Sequence, residues 1–185
     1  MKKVYINYSD IKFKKQQNFA SAAAKYLGHF NEIIRFTPND IDEYFYNKHQ
    51  HILKQKKGAG YWLWKPYFIN QTLSKLSYGD YLFYSDAGAF FLKRVDILIN
   101  ELNKYNQDIM GFELPLIEEQ WTKKELFINM ECEDEKYYGS NQLLASYFLI
   151  KKSLLSERFF QKCLEFACDE YNITDYFSEQ IQQSS

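Results

Sequence analysis

The run "DYLFYS" at residues 80–85 limits what this chain can fold into more than any other stretch. It has the length of a strand and is almost continuously apolar. Gly79 precedes it, and a lone carboxylate, Asp86, follows it. A strand with one wet face alternates apolar and polar residues. A run without alternation must be covered on both faces, as strands are in parallel sheets enclosed by helices. "KVYINY" (3–8), "EIIRFT" (32–37), "DIMGFEL" (108–114) and "LLASYFLI" (143–150) read as further strands.

Helical periodicity fills the intervals. A helix over about 11–27 starts behind Ser9 or Asp10, stops at Gly28, and puts Phe19, Ala22, Ala23 and Tyr26 on one face. Another carries Ile41, Tyr44 and Phe45 after the turn Pro38-Asn39-Asp40. A third opens at Pro66, with Phe68, Ile69, Thr72, Leu73 and Leu76 in phase. Residues 95–105 are helical through Val95, Leu98, Ile99 and Leu102, and 122–130 through a cap at Thr122. Ser153 or Ser156 opens a last helix that reaches about Ala167. Strands alternating with helices predict an α/β fold, a mostly parallel sheet with helices on both faces. The 185 residues show no linker or repeat, so they predict one domain over 1–177 and a polar, frayed tail over 178–185.

The formal net charge is -1, which gives no overall electrostatic footprint for nucleic acid or an anionic membrane. Aromatic residues reach 19%, but they are clumped, which argues against a single-strand binder built on stacking platforms. Cys132, Cys163 and Cys168 form no metal or disulfide pattern and read as buried, inert thiols. "MKKVYINYSD" has no apolar core of a signal peptide, and no run reaches membrane-spanning length. These features predict a cytoplasmic protein without a transmembrane segment.

Ligands of such sheets bind beyond the carboxyl ends of the strands. Asp86 falls there. A carboxylate at that point faces a cleft, a metal or a partner, or else it caps a turn or helix. Ala87 and Gly88 leave room for a ligand to approach the backbone. A hard divalent cation holding a diphosphate would use such an oxygen ligand. Lys65 stands at a helix start, where a cation is favourable if an anion joins it and is otherwise a solvated side chain. Tyr61, Trp62, Trp64 and Tyr67 suit a roof over the core, with one ring free to stack on a base or sugar.

These pieces lie in "GAGYWLWKPYFINQTLSKLSYGDYLFYSDAG" (58–88), which resembles the signature of a family of bacterial and viral glycosyltransferases of GT-A type. The pattern is Gly-x-Gly-Tyr-Trp-x-Trp-Lys-Pro, a helix, then Gly-Asp, a strand and Asp-Ala-Gly. Weaker likeness extends to "YINYSD", to "EQWTKKELF" (119–127) and to 151–175. The resemblance implies a GT-A-like, Rossmann-like sheet and a nucleotide-sugar donor, most often a UDP-sugar. It implies a glycan or glycolipid acceptor in surface polysaccharide or lipooligosaccharide synthesis. Where the family carries Asp-x-Asp, this chain has Tyr84-Ser85-Asp86. That leaves Asp86 to hold Mn²⁺ or Mg²⁺ with a reduced ligand set, so the metal is weakly bound or dispensable. Asn7 and Tyr8 would lie near the base, and Trp64, Lys65, Ala87 and Gly88 near the donor. An inverting member needs a carboxylate base, and Glu113, Glu118 and Glu119 are the candidates. The family continues to a His-Asp-Gln-Ser element that this sequence lacks, so a truncated or non-catalytic relative is the alternative expectation.

Overall fold

The computed structural model describes residues 1–176. The expected tail, 178–185, lies outside the described residues.

Strand β1 (Lys3–Tyr8) leads through one 3₁₀ turn (Ile11–Phe13) into helix α1 (Lys14–Tyr26). Strand β2 (Glu32–Phe36), a 3₁₀ turn at Pro38–Asp40 and α2 (Glu43–Leu53) follow. A single helical turn, α3 (Gly58–Tyr61), precedes α4 (Trp64–Leu73), β3 (Tyr81–Ser85) and α5 (Asp96–Lys104). Then come β4 (Ile109–Met110), β5 (Glu113–Ile117), α6 (Lys124–Asn129) and α7 (Glu135–Tyr138). Strands β6 (Asn141–Leu143) and β7 (Tyr147–Lys151) precede α8 (Leu154–Ala167) and α9 (Glu170–Ile173).

Five strands form the main sheet in the order β2-β1-β3-β7-β4, and β5 and β6 form a small separate sheet. Strands β2, β1 and β3 pair in parallel, whereas β7 runs antiparallel to both β3 and β4. The α/β expectation therefore holds for a mostly parallel sheet with one reversed strand. Period-two alternation splits its side chains between two cores. Val4, Ile6, Tyr8, Leu82, Tyr84 and Ile150 face α4 and α8. Tyr5, Tyr81, Phe83 and Leu149 face α1 and α5, where Ala24, Val95, Ile99 and Leu102 meet them. As its run of apolar residues predicts, all five residues of β3 are buried.

Local chemistry explains the element ends. The Asp10 carboxylate accepts from the N–H groups of Lys12 and Phe13, and Ser153 and Ser156 close a capping box on α8. Helix α4 starts two residues before Pro66. A proline without an N–H is still harmless there, because the first four helical N–H groups have no partner in the helix.

Three expectations need correction. Helix α1 turns Gln17, Ala20, Ser21, Ala23 and Ala24 inward, leaving Phe19 and Tyr26 exposed. Small residues let the helix lie close to the sheet, and close approach prevailed over apolar bulk. Thr122 does not cap α6; Lys123 precedes that helix, and the Thr122 hydroxyl donates to Glu118. The predicted strands 108–114 and 143–150 each break in two, one part joining each sheet.

Candidate functional site

The parallel neighbours β1 and β3 end on the same side of the sheet, at Tyr8 and Ser85. Beyond them lies a cleft of about 340 Å³. Tyr8, Asp10, Lys12 and Phe13 wall it from the β1 end, and Asp86, Ala87 and Gly88 from the β3 end. Lys56, Gly58, Trp62 and Trp64 close the third side.

Asp86 is held at the floor. Its backbone N–H donates to the Ser146 carbonyl at 2.8 Å, which is the antiparallel approach of β7 continued one residue past the strand. The Tyr84 hydroxyl donates to Asp86 Oδ1. Lys65 Nζ sits 3.1 Å from that same oxygen and donates to the Ala145 carbonyl at 2.8 Å. The Lys65 side chain is only 12% exposed and Asp86 40%, so the carboxylate is the wetter partner. Burial draws the Lys65 pKa below the ordinary lysine value, and the Asp86 charge partly restores it. Burial, followed by the Asp86 charge, raises the Tyr84 hydroxyl well above its usual range. The ammonium lies 5.2 Å from the Tyr84 ring centroid and 5.8 Å from that of Trp64, within cation–π range. Trp64 stacks on Tyr8 at 3.9 Å and 18°, and its indole N–H donates to the Gly58 carbonyl. Tyr8 is pushed up to about 12, first by burial and then by Asp10, so its hydroxyl stays neutral. The result is a largely desolvated cation, tied on one side to a carboxylate and backed by aromatic rings. Lys65 and Tyr84 do not line the cleft themselves but back Asp86, which does; the cations on its walls are Lys12 and Lys56, and Tyr8 and Trp64 are among its rings.

The donor set for a divalent cation is thin. Among the described residues, no three of His, Cys, Asp or Glu come together. Tyr84 stands at the first acidic position of the resembled triplet, and its hydroxyl is engaged by Asp86. Magnesium-type sites commonly use one or two protein carboxylates and take other oxygens from phosphates and water. Asp86 Oδ1 already meets the Lys65 ammonium and the Tyr84 hydroxyl, which leaves Oδ2 as the oxygen it could offer to such a shared site.

The third wall has unusual backbone. From Gly58 to Trp62, five consecutive φ angles are positive, at 56°, 51°, 98°, 49° and 60°. This turn winds left-handed, at about 1–2 kcal/mol for each non-glycine residue, here Ala59, Tyr61 and Trp62. It is clamped from the far end of the chain. Asp175 pairs with Lys57 at 2.7 Å and accepts from the Tyr61 hydroxyl at 2.8 Å. Strained backbone of this kind concentrates at ligand clamps and active sites.

The structure thus brings Tyr8, Trp64, Lys65, Tyr84, Asp86, Ala87 and Gly88 together. Asn7 and Ser85 lie behind the cleft instead. Ser85 hydrogen-bonds the Tyr5 hydroxyl at 2.7 Å, and Asn7 Nδ2 donates to that hydroxyl and to Ser21, under α1. Glu113, Glu118 and Glu119 do not line the cleft. Glu113 accepts from Asn141, Glu118 from Thr122, and Glu119 borders a second hollow with Phe127 and Tyr138. Sequence reasoning missed Ala145 and Ser146, which act through backbone carbonyls and so leave no residue-type signal. It also missed Asp175, and it did not single out Lys56. A larger groove of about 600 Å³ between α4 and α8 is lined by Asp42, Glu157 and Glu165 and by no cation, and it lies away from the strand ends.

No helix among the described residues is long and apolar enough to cross a membrane. Cys132, Cys163 and Cys168 are free, and burial pushes the Cys163 thiol up to about 11, which suits an unreactive role. No protein-family model matches this chain, and no curated protein is significantly similar to it.

Proposed function

We propose that the chain is a GT-A-like glycosyltransferase whose strand-end cleft binds a nucleotide-diphosphate sugar, most simply a UDP-sugar. One observation carries this reading: the half-buried Lys65–Asp86 pair beside the Tyr8–Trp64 stack, just past the carboxyl ends of β1 and β3. An aromatic wall suits a base or sugar ring, and a desolvated ammonium suits a diphosphate. Transfer breaks the bond from the anomeric carbon to phosphate oxygen, through an oxocarbenium-like state. Negative charge then grows on the departing diphosphate. Lys65 is pre-placed to oppose it, at little reorganisation because Ala145 and Asp86 already orient it. Asp86 would hold Mn²⁺ or Mg²⁺ jointly with the diphosphate, and a metal so held supplies Lewis-acid stabilisation of the leaving group. Tyr84, itself neutral, steadies the carboxylate. The acceptor is a glycan or glycolipid of surface polysaccharide synthesis, reached from the cytoplasmic side. Glu113, Glu118 and Glu119 remain the candidates for a base, and each would have to be carried to the cleft by the small sheet or the segment after it.

Thermal unfolding against nucleotide sugars and nucleoside diphosphates, with and without Mn²⁺, tests the reading. A native-state ligand at 100 times its dissociation constant adds about 2.7 kcal/mol. Asp86→Ala should abolish the Mn²⁺-dependent part of the shift, and Lys65→Ala should weaken diphosphates more than nucleosides. A parent chain that shifts with no nucleotide would sink the donor site. A chain that binds donor but transfers no sugar would be a non-catalytic relative.

A further inference from the structure

The exposed apolar residues are not scattered. Ile11, Phe13 and Phe19 follow β1, while Phe90 and Leu92 follow β3, its parallel neighbour, so both groups leave the same side of the sheet. The two segments meet, because the Phe19 and Phe90 rings pack edge to face at 5.0 Å. Phe13 also borders the cleft. Ile11 is 96% exposed and Leu92 76%, far beyond what a folded chain requires of aliphatic side chains.

The same two segments carry cations. Lys12, Lys14 and Lys15 lie between Ile11 and Phe19, and Lys93 and Arg94 follow Leu92; all five are exposed. Opposing acids are few. Asp10 caps the N–H groups of Lys12 and Phe13, and Asp96 is shared between Lys3 and Arg94. A net charge of -1 over the whole chain thus hides a basic, apolar rim at the cleft mouth.

We infer that this rim docks on a membrane surface bearing anionic lipids, with the cleft mouth turned toward the bilayer. Cations interleaved with inserting apolar side chains are what an anionic headgroup layer over acyl chains recognises. Single-stranded nucleic acid fits less well, since stacking needs free ring faces, whereas Phe19 and Phe90 pack on each other and the two most exposed apolar groups here are aliphatic. The inference does not rest on sugar transfer. Nucleotide binding and vesicle binding are read separately, so either can fail alone.

Flotation of the purified chain with vesicles tests it, using phosphatidylcholine alone or mixed with phosphatidylglycerol, at low and high salt. The parent should float with the anionic vesicles, more weakly as salt rises, and hardly at all with phosphatidylcholine. Phe19→Ser with Leu92→Ser, and Lys15→Glu with Lys93→Glu, should each reduce binding by about tenfold or more. These positions are exposed, so an unchanged unfolding temperature confirms that the variants fold. No flotation with anionic vesicles at low salt overturns the inference, as does equal binding by parent and variants. Concentration-dependent self-association lost in the Phe19→Ser variant would assign the rim to a second copy of the chain, and would also overturn it.

Discussion

Two adjoining pieces of one short segment behave in opposite ways. Residues 58–62 wind left-handed, with Trp62 exposed and the Tyr61 hydroxyl tied to an exposed carboxylate, Asp175. Residues 64–73 wind right-handed and bury Trp64, Tyr67, Phe68, Ile69, Thr72 and Leu73. Both contribute to one cleft. The helix anchors Lys65 and Trp64 by packing, and the turn sets the wall opposite Asp86 at the expense of backbone strain. A packed side is thus paired with a strained one, and the contrast is open to direct attack by substitution.

The helix side should be the more costly to damage. Phe68 is 1% exposed and stacks on Phe36 at 4.1 Å. Phe68→Ala should lose about 3–5 kcal/mol in denaturant unfolding. A smaller loss would mean that α4 is no better anchored than the turn. Within the turn, Gly60 has φ +98°, and an added Cβ would lie 2.8 Å from Leu53 Cα, a backbone atom that cannot swing aside. Gly60→Ala is expected to lose about 2–3 kcal/mol by the same measurement. Ala59 differs, because its left-handed backbone would suit glycine. Ala59→Gly should stabilise by about 0.5–1 kcal/mol, strain relief of about 1–2 kcal/mol less the greater freedom of glycine in the unfolded chain. Destabilisation instead would show that the turn is held by packing and is not under tension.

The smallest effect lies at the joint, in Lys65. Its folded pKa is below its unfolded value of 10.5 because it is buried. Between those two values the unfolded chain binds more protons, so stability rises with pH across that window. Unfolding free energies of the parent and Lys65→Met, compared through the alkaline range, should show the parent gaining on the variant. Diphosphate affinity should fall over the same window as the ammonium is lost. A parallel pH course for the two proteins would mean that Lys65 is solvated.

How much of this could be read beforehand depended on what kind of atom did the work. Strand β3 was legible because a buried strand must be apolar throughout, and Asp86 because a lone carboxylate after such a run needs a reason. The Tyr8–Trp64 stack was half legible, since aromatic clumping shows that rings will pack without saying on what. Helix α1 was misread because its alanines and Phe19 obey the same helical period on opposite faces. The reversed β7 was invisible, since strand direction leaves no trace in hydrophobic pattern. Ala145 and Ser146 escaped for the same reason that any residue would serve where only a carbonyl is used.

That reversed strand also bears on how the protein is made. Strand β3 leaves the ribosome long before β7, the neighbour that covers its second edge, and among the described residues β4 pairs in the main sheet only with β7. At about 5–20 residues per second, a strand destined to be buried along its whole length keeps one open edge for several seconds. Such an edge invites pairing with other chains. Until residues 147–151 slot in between β3 and β4, Asp86 has no Ser146 carbonyl to lean on. The site is therefore completed only when β7 joins, and a chaperone that shields β3 in the meantime would protect both solubility and the cleft.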